Sequence, residues 1–287
     1  MIGGGCLRPP SKPYILKSGT AEITHALSDD VVTLLAGDDG SVVANQRASP
    51  CQLPLASVVS LNRLLQEGQL LHELHHNRVV GIGSDTVVKI GSDIDPDHAN
   101  NLQHINEHVP GIPTPRFLGG LSSCGLAYIF LSRPQVTPQM VWPDFTVGQK
   151  LPVKRQLTEH LKRLRAEPPP RAAGQNMRLG SFKSGICKDM RRSQRESSAP
   201  LHTEAEWNDF LCRESGRATT AWTSMVRSFM AEDHRVVMTH GDLHPATSCT
   251  IGPRELLKDW VDDLPTDAVG HYPVDFSLDC LISRWLG

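Results

Sequence analysis

The stretch Arg78-Val79-Val80-Gly81-Ile82-Gly83-Ser84-Asp85-Thr86-Val87-Val88-Lys89-Ile90 consists of two β-rich runs separated by a short Gly/Ser/Asp segment. That pattern predicts a β-hairpin, and the elements around it must be compatible with one. Ile129-Phe130-Leu131, ending near Pro134, is a third strand candidate. Between them, Asp97 to His108 has Leu102 and Ile105 on one face and a helical length. Upstream, Val58, Val59, Leu61, Leu64, Leu65 and Leu71 follow a helical spacing that Gly68 interrupts. These elements outline a small β-rich lobe over residues 55–134.

Residues 1–54 carry Gly, Pro, Ser and Asp clusters without a recurring period and read as a weakly organised extension. Beyond residue 134 the chain changes character. Leu157, Leu161 and Leu164 lie at i, i+4 and i+7, an amphipathic helix that prolines 168 to 170 terminate. Thr203 and Glu206 form a capping box ahead of Trp207, Phe210 and Leu211. Trp222, Met225, Val226, Phe229 and Met230 make the strongest helical stripe, which reads as core packing. Val236-Val237-Met238 is a strand candidate leading into His240-Gly241-Asp242, and Leu278, Leu281, Ile282 and Trp285 mark a terminal helix. Residues 135–287 therefore read as a helical lobe, shorter than a complete one.

Composition removes several classes. The 29 Lys+Arg against 31 Asp+Glu leave a net charge of −2, with no basic excess for nucleic acid. Lys and Arg do concentrate between residues 171 and 200, but no aromatic residues are interleaved for base stacking, so a solvated loop is the expectation there. No run of roughly 18 apolar residues is present to cross a membrane, and the N-terminus lacks a signal-peptide apolar region. A cytoplasmic chain is expected. The seven cysteines are scattered without a Cys-x-x-Cys pair, which fits reduced, mostly buried thiols.

Chemistry concentrates in Val236-Val237-Met238-Thr239-His240-Gly241-Asp242-Leu243-His244-Pro245. A strand ending in His-Gly-Asp sets a carboxylate at a loop mouth, where a hydroxyl can approach and lose its proton. Lys89 stands 153 residues upstream of Asp242, and Asp259 stands 17 downstream. A strand lysine, a loop aspartate and a second aspartate, in that order, are the parts phosphoryl transfer uses: one pairs phosphates, one orients the acceptor, one holds magnesium.

With these residues the chain resembles the aminoglycoside phosphotransferase and choline kinase-like family of the protein-kinase-like superfamily, most of all its fungal small-molecule kinase homologues. The likeness runs through RVVGIGSDTVVKIG, HANNLQHI, IPTPRFLGG, AYIFLSRP, QMVWP, EHLKRLRAEPPP, HTEAEWNDFL, VVMTHGDLHP and DWVDDLPTDAVGHYPVDF, over about residues 71 to 287. It implies an α+β, bilobal fold with ATP in a cleft and a small-molecule hydroxyl as acceptor. It implies that Lys89, with Gly81, Gly83, Ser84, Phe130 and Leu131, binds ATP, and that Asp242 is the catalytic base. Asp259 and Thr247 would hold magnesium. Neither nucleic acid nor a membrane is an implied partner, and no oligomeric state follows.

The chain also departs from that family. Thr247 stands where the family has a magnesium-binding Asn, and His98 stands where it has the helix acid that pairs the phosphate-binding lysine; Asp97 or Asp95 takes that role only if the helix is shifted. These departures, with the short C-terminus, keep open an alternative: a pseudokinase that binds nucleotide or a partner without turnover. Two decoys are weaker. His72-Glu73-Leu74-His75-His76 matches the HExxH zinc-protease string, which works only on a helix. Gly81-Ile82-Gly83 lacks the third glycine and the following helix of a dinucleotide site.

Overall fold

The computed structural model describes residues 15–17, 19–36, 51–74, 77–92, 94–133, 144–168, 178–189, 195–213, 219–234 and 236–238. They form an α+β fold with an antiparallel sheet, the class expected from the sequence. The chain divides into two compact units, one of residues 1–95 with 115–137 and the other of 96–114 with 138–287.

The first unit is built on one seven-stranded sheet. Its strands are β1 (Glu22–His25), β2 (Cys51–Gln52), β3 (Gln69–Leu74), β4 (Asn77–Ile82), β5 (Thr86–Gly91), β6 (Phe117–Ser123) and β7 (Leu126–Ser132), in the spatial order β2-β1-β6-β7-β5-β4-β3. The expected hairpin is β4–β5, closed by Gly83-Ser84-Asp85 with Gly83 at φ 63°. Cys124 and Gly125, both at positive φ, form the two-residue turn joining β6 to β7.

Helices α1 (Asp29–Ala36) and α2 (Leu55–Glu67) belong to the same unit. Their Val31, Leu35, Val58 and Leu61 share one core with Ile23, Val80, Ile82, Val88, Ile90, Leu121, Tyr128 and Phe130. Residues 22–25, 29–36 and 51–52, within the segment read as weakly organised, are thus integral to the sheet and its cover. Ile23 is fully buried opposite Leu121, and Asn62 on α2 clamps Leu16 by accepting from its backbone N–H at 2.8 Å and donating to its carbonyl at 2.9 Å. Gly119 lets β6 approach the chain just after β1, because a Cβ there would lie 2.8 Å from the Ala26 carbonyl.

The second unit contains α3 (Pro96–His108), α4 (Val147–Ala166), α5 (Glu204–Leu211), α6 (Thr220–Ser228) and a two-stranded ribbon, β8 (Lys188–Asp189) with β9 (Arg195–Glu196). The helix at 96–108, read as part of the β-rich lobe, belongs to this unit. Thr203 caps α5 as expected: its hydroxyl accepts from the Glu206 N–H at 3.1 Å, and Glu206 accepts from the Thr203 N–H. Leu161 and Leu164 are buried on α4. On α6 only part of the expected stripe is core, since Val226 is buried while Met225 and Phe229 are exposed. Val236–Met238 form no strand. Met238 is instead buried against Val109 and Leu164.

The ribbon also replaces the solvated loop expected there. Lys188, 17% exposed, pairs at 3.1 Å with Asp97 of α3, whose carboxylate also accepts from Ser184 at 2.7 Å. Burial by itself raises the Asp97 pKa, but the hydrogen bonds from Ser184 and Lys188 and the lysine charge outweigh it and hold the carboxyl below its ordinary value. A depressed carboxyl contributes stability that is complete above the unfolded pKa and lost as pH falls through the folded one. Lys188→Met is expected to cost about 3 kcal/mol near neutral pH by stranding a buried carboxylate, and to flatten the loss of stability below about pH 4. Urea titrations across pH on both proteins measure this.

Candidate functional site

The alternation of β5 determines where its lysine goes. Val88 and Ile90 point into the core beneath α1 and α2, so Lys89 points to the opposite face. There it stands in register with Val79 of β4 and Ile129 of β7. Val87 and Leu131, one step along the strands, share that face with Gly81. Lys89 is half-buried, and burial lowers its pKa from the usual lysine value. Among the described residues no hydrogen-bond acceptor or carboxylate pairs with its ammonium. A desolvated cation without a counter-charge is costly, and an anionic ligand removes that cost.

The structure separates the residues that the sequence groups around this lysine. Gly81 and Leu131 join it on one face. Gly83 and Ser84 lie in the turn beyond Thr86, about 10 Å away along the strand, and the Ser84 hydroxyl is taken by the Asp85 carboxylate. Phe130 is fully buried in the core on the other face, in register with Val88. Its side chain is therefore unavailable to a ligand beside Lys89, and only its backbone remains.

Other residues share the Lys89 face. His72 pairs in register with Val79, and Asn77 lies two residues before Val79 on β4. The His72 Nδ1 and Asn77 Oδ1 atoms are buried without a hydrogen-bond partner among the described residues. Arg133, just past β7, reaches over Gly81: a Cβ on that glycine would lie 3.0 Å from the arginine Nη1. Its Nη2 donates to Gln69 Oε1 at 2.6 Å. The signal for the β4 members was the period-two alternation Asn77, Val79, Gly81. Nothing local in the sequence marks Arg133.

The described part of the HExxH string does not have the helical form a zinc-protease site needs. Residues 69–74, which carry His72 and Glu73, are a strand rather than a helix, and Glu73 accepts from Arg78 Nε at 2.8 Å; His75 and His76 lie outside the described residues. No cluster of three or more metal-ligating side chains occurs among the described residues. Asp242, Thr247 and Asp259 lie outside the described residues, as does the terminal helix expected near residues 278–285. Asp97, one candidate for the acid that pairs the lysine, is engaged by Lys188 within the second unit, and His98 is exposed. Asp95 belongs to the first unit and is half-buried.

Four cysteines are described, none in a disulfide. Cys187 is buried and its thiol is pushed up to about 11 by that burial. Cys124 is exposed, contrary to the mostly buried set expected.

No protein-family model matches this sequence, and no curated protein matches it, so the likeness to fungal kinase homologues has no support from relatives. Solved structures are similar in part. The crystal structure of aminoglycoside phosphotransferase APH(4)-Ia aligns at 19% identity with a TM-score of 0.35, over 56% of this chain and 50% of that one. The streptomycin–ATP ternary complex of APH(2")-IIa aligns at 10% identity with a TM-score of 0.34, over 62% and 57%. This chain thus spans about half the length of the structures it matches. No helix among the described residues is long and apolar enough to cross a membrane.

An unpaired buried cation should weaken the fold that holds it. Lys89→Met is expected to raise stability by about 1 kcal/mol near neutral pH. Because the lysine pKa is lowered in the fold, the unfolded chain binds more protons between that value and the ordinary one. Wild-type stability then rises with pH through this window, and the gap to the variant narrows. Urea midpoints measured from neutral to alkaline pH test both statements.

Proposed function

We propose that this chain is an ATP-dependent phosphotransferase of the bilobal, protein-kinase-like type, moving the γ-phosphate to a hydroxyl of a small molecule. The observation that carries the reading is Lys89: a half-buried ammonium beside Val79, Val87, Ile129 and Leu131 on one sheet face, with no counter-charge among the described residues. A nucleotide phosphate supplies that charge. The apolar neighbours Val87, Ile129 and Leu131 fit a heterocycle beside it.

In this reading the sheet unit, including β1 and α1, is the smaller lobe, and Asp242 serves as base. The acceptor hydroxyl passes its proton to the Asp242 carboxylate as its oxygen bonds to the γ-phosphorus. The bond from that phosphorus to the β–γ bridging oxygen breaks, and ADP leaves. Lys89 holds the phosphates in line, so much of the acceleration comes from positioning and charge neutralisation. Asp259 and Thr247 are assigned to magnesium, which when bound neutralises charge on the phosphate oxygens. The acceptor class follows the resemblance to small-molecule kinases, and a cytoplasmic setting fits an ATP-dependent reaction.

One observation favours the pseudokinase alternative. Asp97 is committed to Lys188, leaving His98 at the position of the family's helix acid, and a histidine does not replace a carboxylate beside the lysine.

The test is phosphate transfer by the full chain with magnesium and ATP across a panel of aminoglycosides and simple alcohols. Turnover should fall about a hundredfold or more in Asp242→Asn, as expected when a general base is removed, while ATP binding persists. Binding without transfer to any acceptor favours the pseudokinase, and absence of ATP binding rules out the phosphotransferase and the nucleotide-binding form of the pseudokinase.

A further inference from the structure

A second cation faces the same ligand space as Lys89. Gly81 and Val79 lie two residues apart on β4 and therefore share a face, and Val79 is the register partner of Lys89. The guanidinium of Arg133 rests on that face: a Cβ on Gly81 would lie 3.0 Å from Nη1 and 3.3 Å from Cζ. The arginine is fixed at both ends. Its backbone N–H donates to the Asp85 carbonyl at 2.7 Å, and Nη2 donates to Gln69 Oε1 at 2.6 Å. Gly81, which the family resemblance assigns to ATP, leaves the space in which this side chain lies. Neither Lys89 nor Arg133 pairs with a carboxylate among the described residues, so two positive charges stand on one sheet face without neutralisation.

We propose that Arg133 is a second anion-binding residue of this face and that, with Lys89, it selects ligands carrying at least two linked phosphates. The inference rests on the reading of Lys89 as a phosphate contact. The backbone rows of Gly81 and Lys89 are one two-residue step apart, about 7 Å, close to the limit that the oxygens of one orthophosphate span between two donors. A di- or triphosphate reaches both. The planar guanidinium, with one donor spent on Gln69, keeps further donors for phosphate oxygens. Gln69, a neutral acceptor, steers the side chain without cancelling its charge.

The experiment is calorimetric binding of orthophosphate, tripolyphosphate, ATP and adenosine to the full chain in the absence of magnesium. Wild type is compared with Lys89→Met, Arg133→Ala, Arg133→Lys and Gln69→Ala, each checked for a cooperative thermal melt no lower than that of wild type. Arg133→Ala should weaken tripolyphosphate and ATP about tenfold, leave adenosine unchanged and erase the preference for tripolyphosphate over orthophosphate. Arg133→Lys should recover part of the loss, because it restores the charge without the fork. Gln69→Ala should fall between wild type and Arg133→Ala. If Lys89→Met abolishes polyphosphate binding while Arg133→Ala leaves it unchanged or tightens it, Arg133 merely covers Gly81, and the inference fails with the nucleotide reading intact. If Lys89→Met is silent as well, the nucleotide reading fails together with it.

Discussion

The sheet unit depends on one constraint: β5 is paired on both sides, so its alternate residues have no choice of face. Val88 and Ile90 are required beneath α1 and α2, where they close the core with Phe130, Tyr128 and Leu61. Lys89 is thereby forced to the other surface. A slip of one residue in β5 would put an ammonium into that core and two large apolar groups outside it. The register that stabilises the fold is therefore the one that displays the cation, and the proposed function and the packing share a single alternation.

The same logic explains why the Lys89 face is polar at particular points. Its central rows are Val79, Lys89 and Ile129, then Gly81, Val87 and Leu131. Apolar side chains and a glycine leave room, while Lys89 and Arg133 supply charge near either side of that room. In the second unit the opposite solution is used. Lys188 is also a largely buried lysine, but Asp97 and Glu196 neutralise it there, at 3.1 and 3.8 Å. One lysine is a structural pin and the other is left with its charge available. The comparison shows that burial alone does not distinguish the two; the identity of the partner does.

Local patterns in the sequence predicted local structure well. The hairpin at 78–90, the helix at 96–108 and the Thr203–Glu206 capping box are all present, because each rests on contacts within a few residues. What failed depended on distant partners. Residues 22–25 look unremarkable until β6, nearly a hundred residues later, pairs with them. Lys188 reads as a solvated charge until α3 brings Asp97 to it. Phe130 and Leu131 are neighbours in sequence and were grouped as ligand contacts, yet strand alternation sends them to opposite faces. Met225 and Phe229 follow a helical stripe, but α6 is buried only along part of it.

The amino-acid sequence by itself determined the element types, the hairpin that carries Lys89 and the order of residues suited to phosphoryl transfer, since periodicity, turn chemistry and capping act over a few residues. Only the tertiary structure decided which charges are neutralised. It left Lys89 and Arg133 without carboxylates among the described residues, gave Asp97 to Lys188, and drew the N-terminal strand into the sheet. Charge pairing and sheet order depend on which distant segments meet, and a pattern read along one chain contains no distance between them.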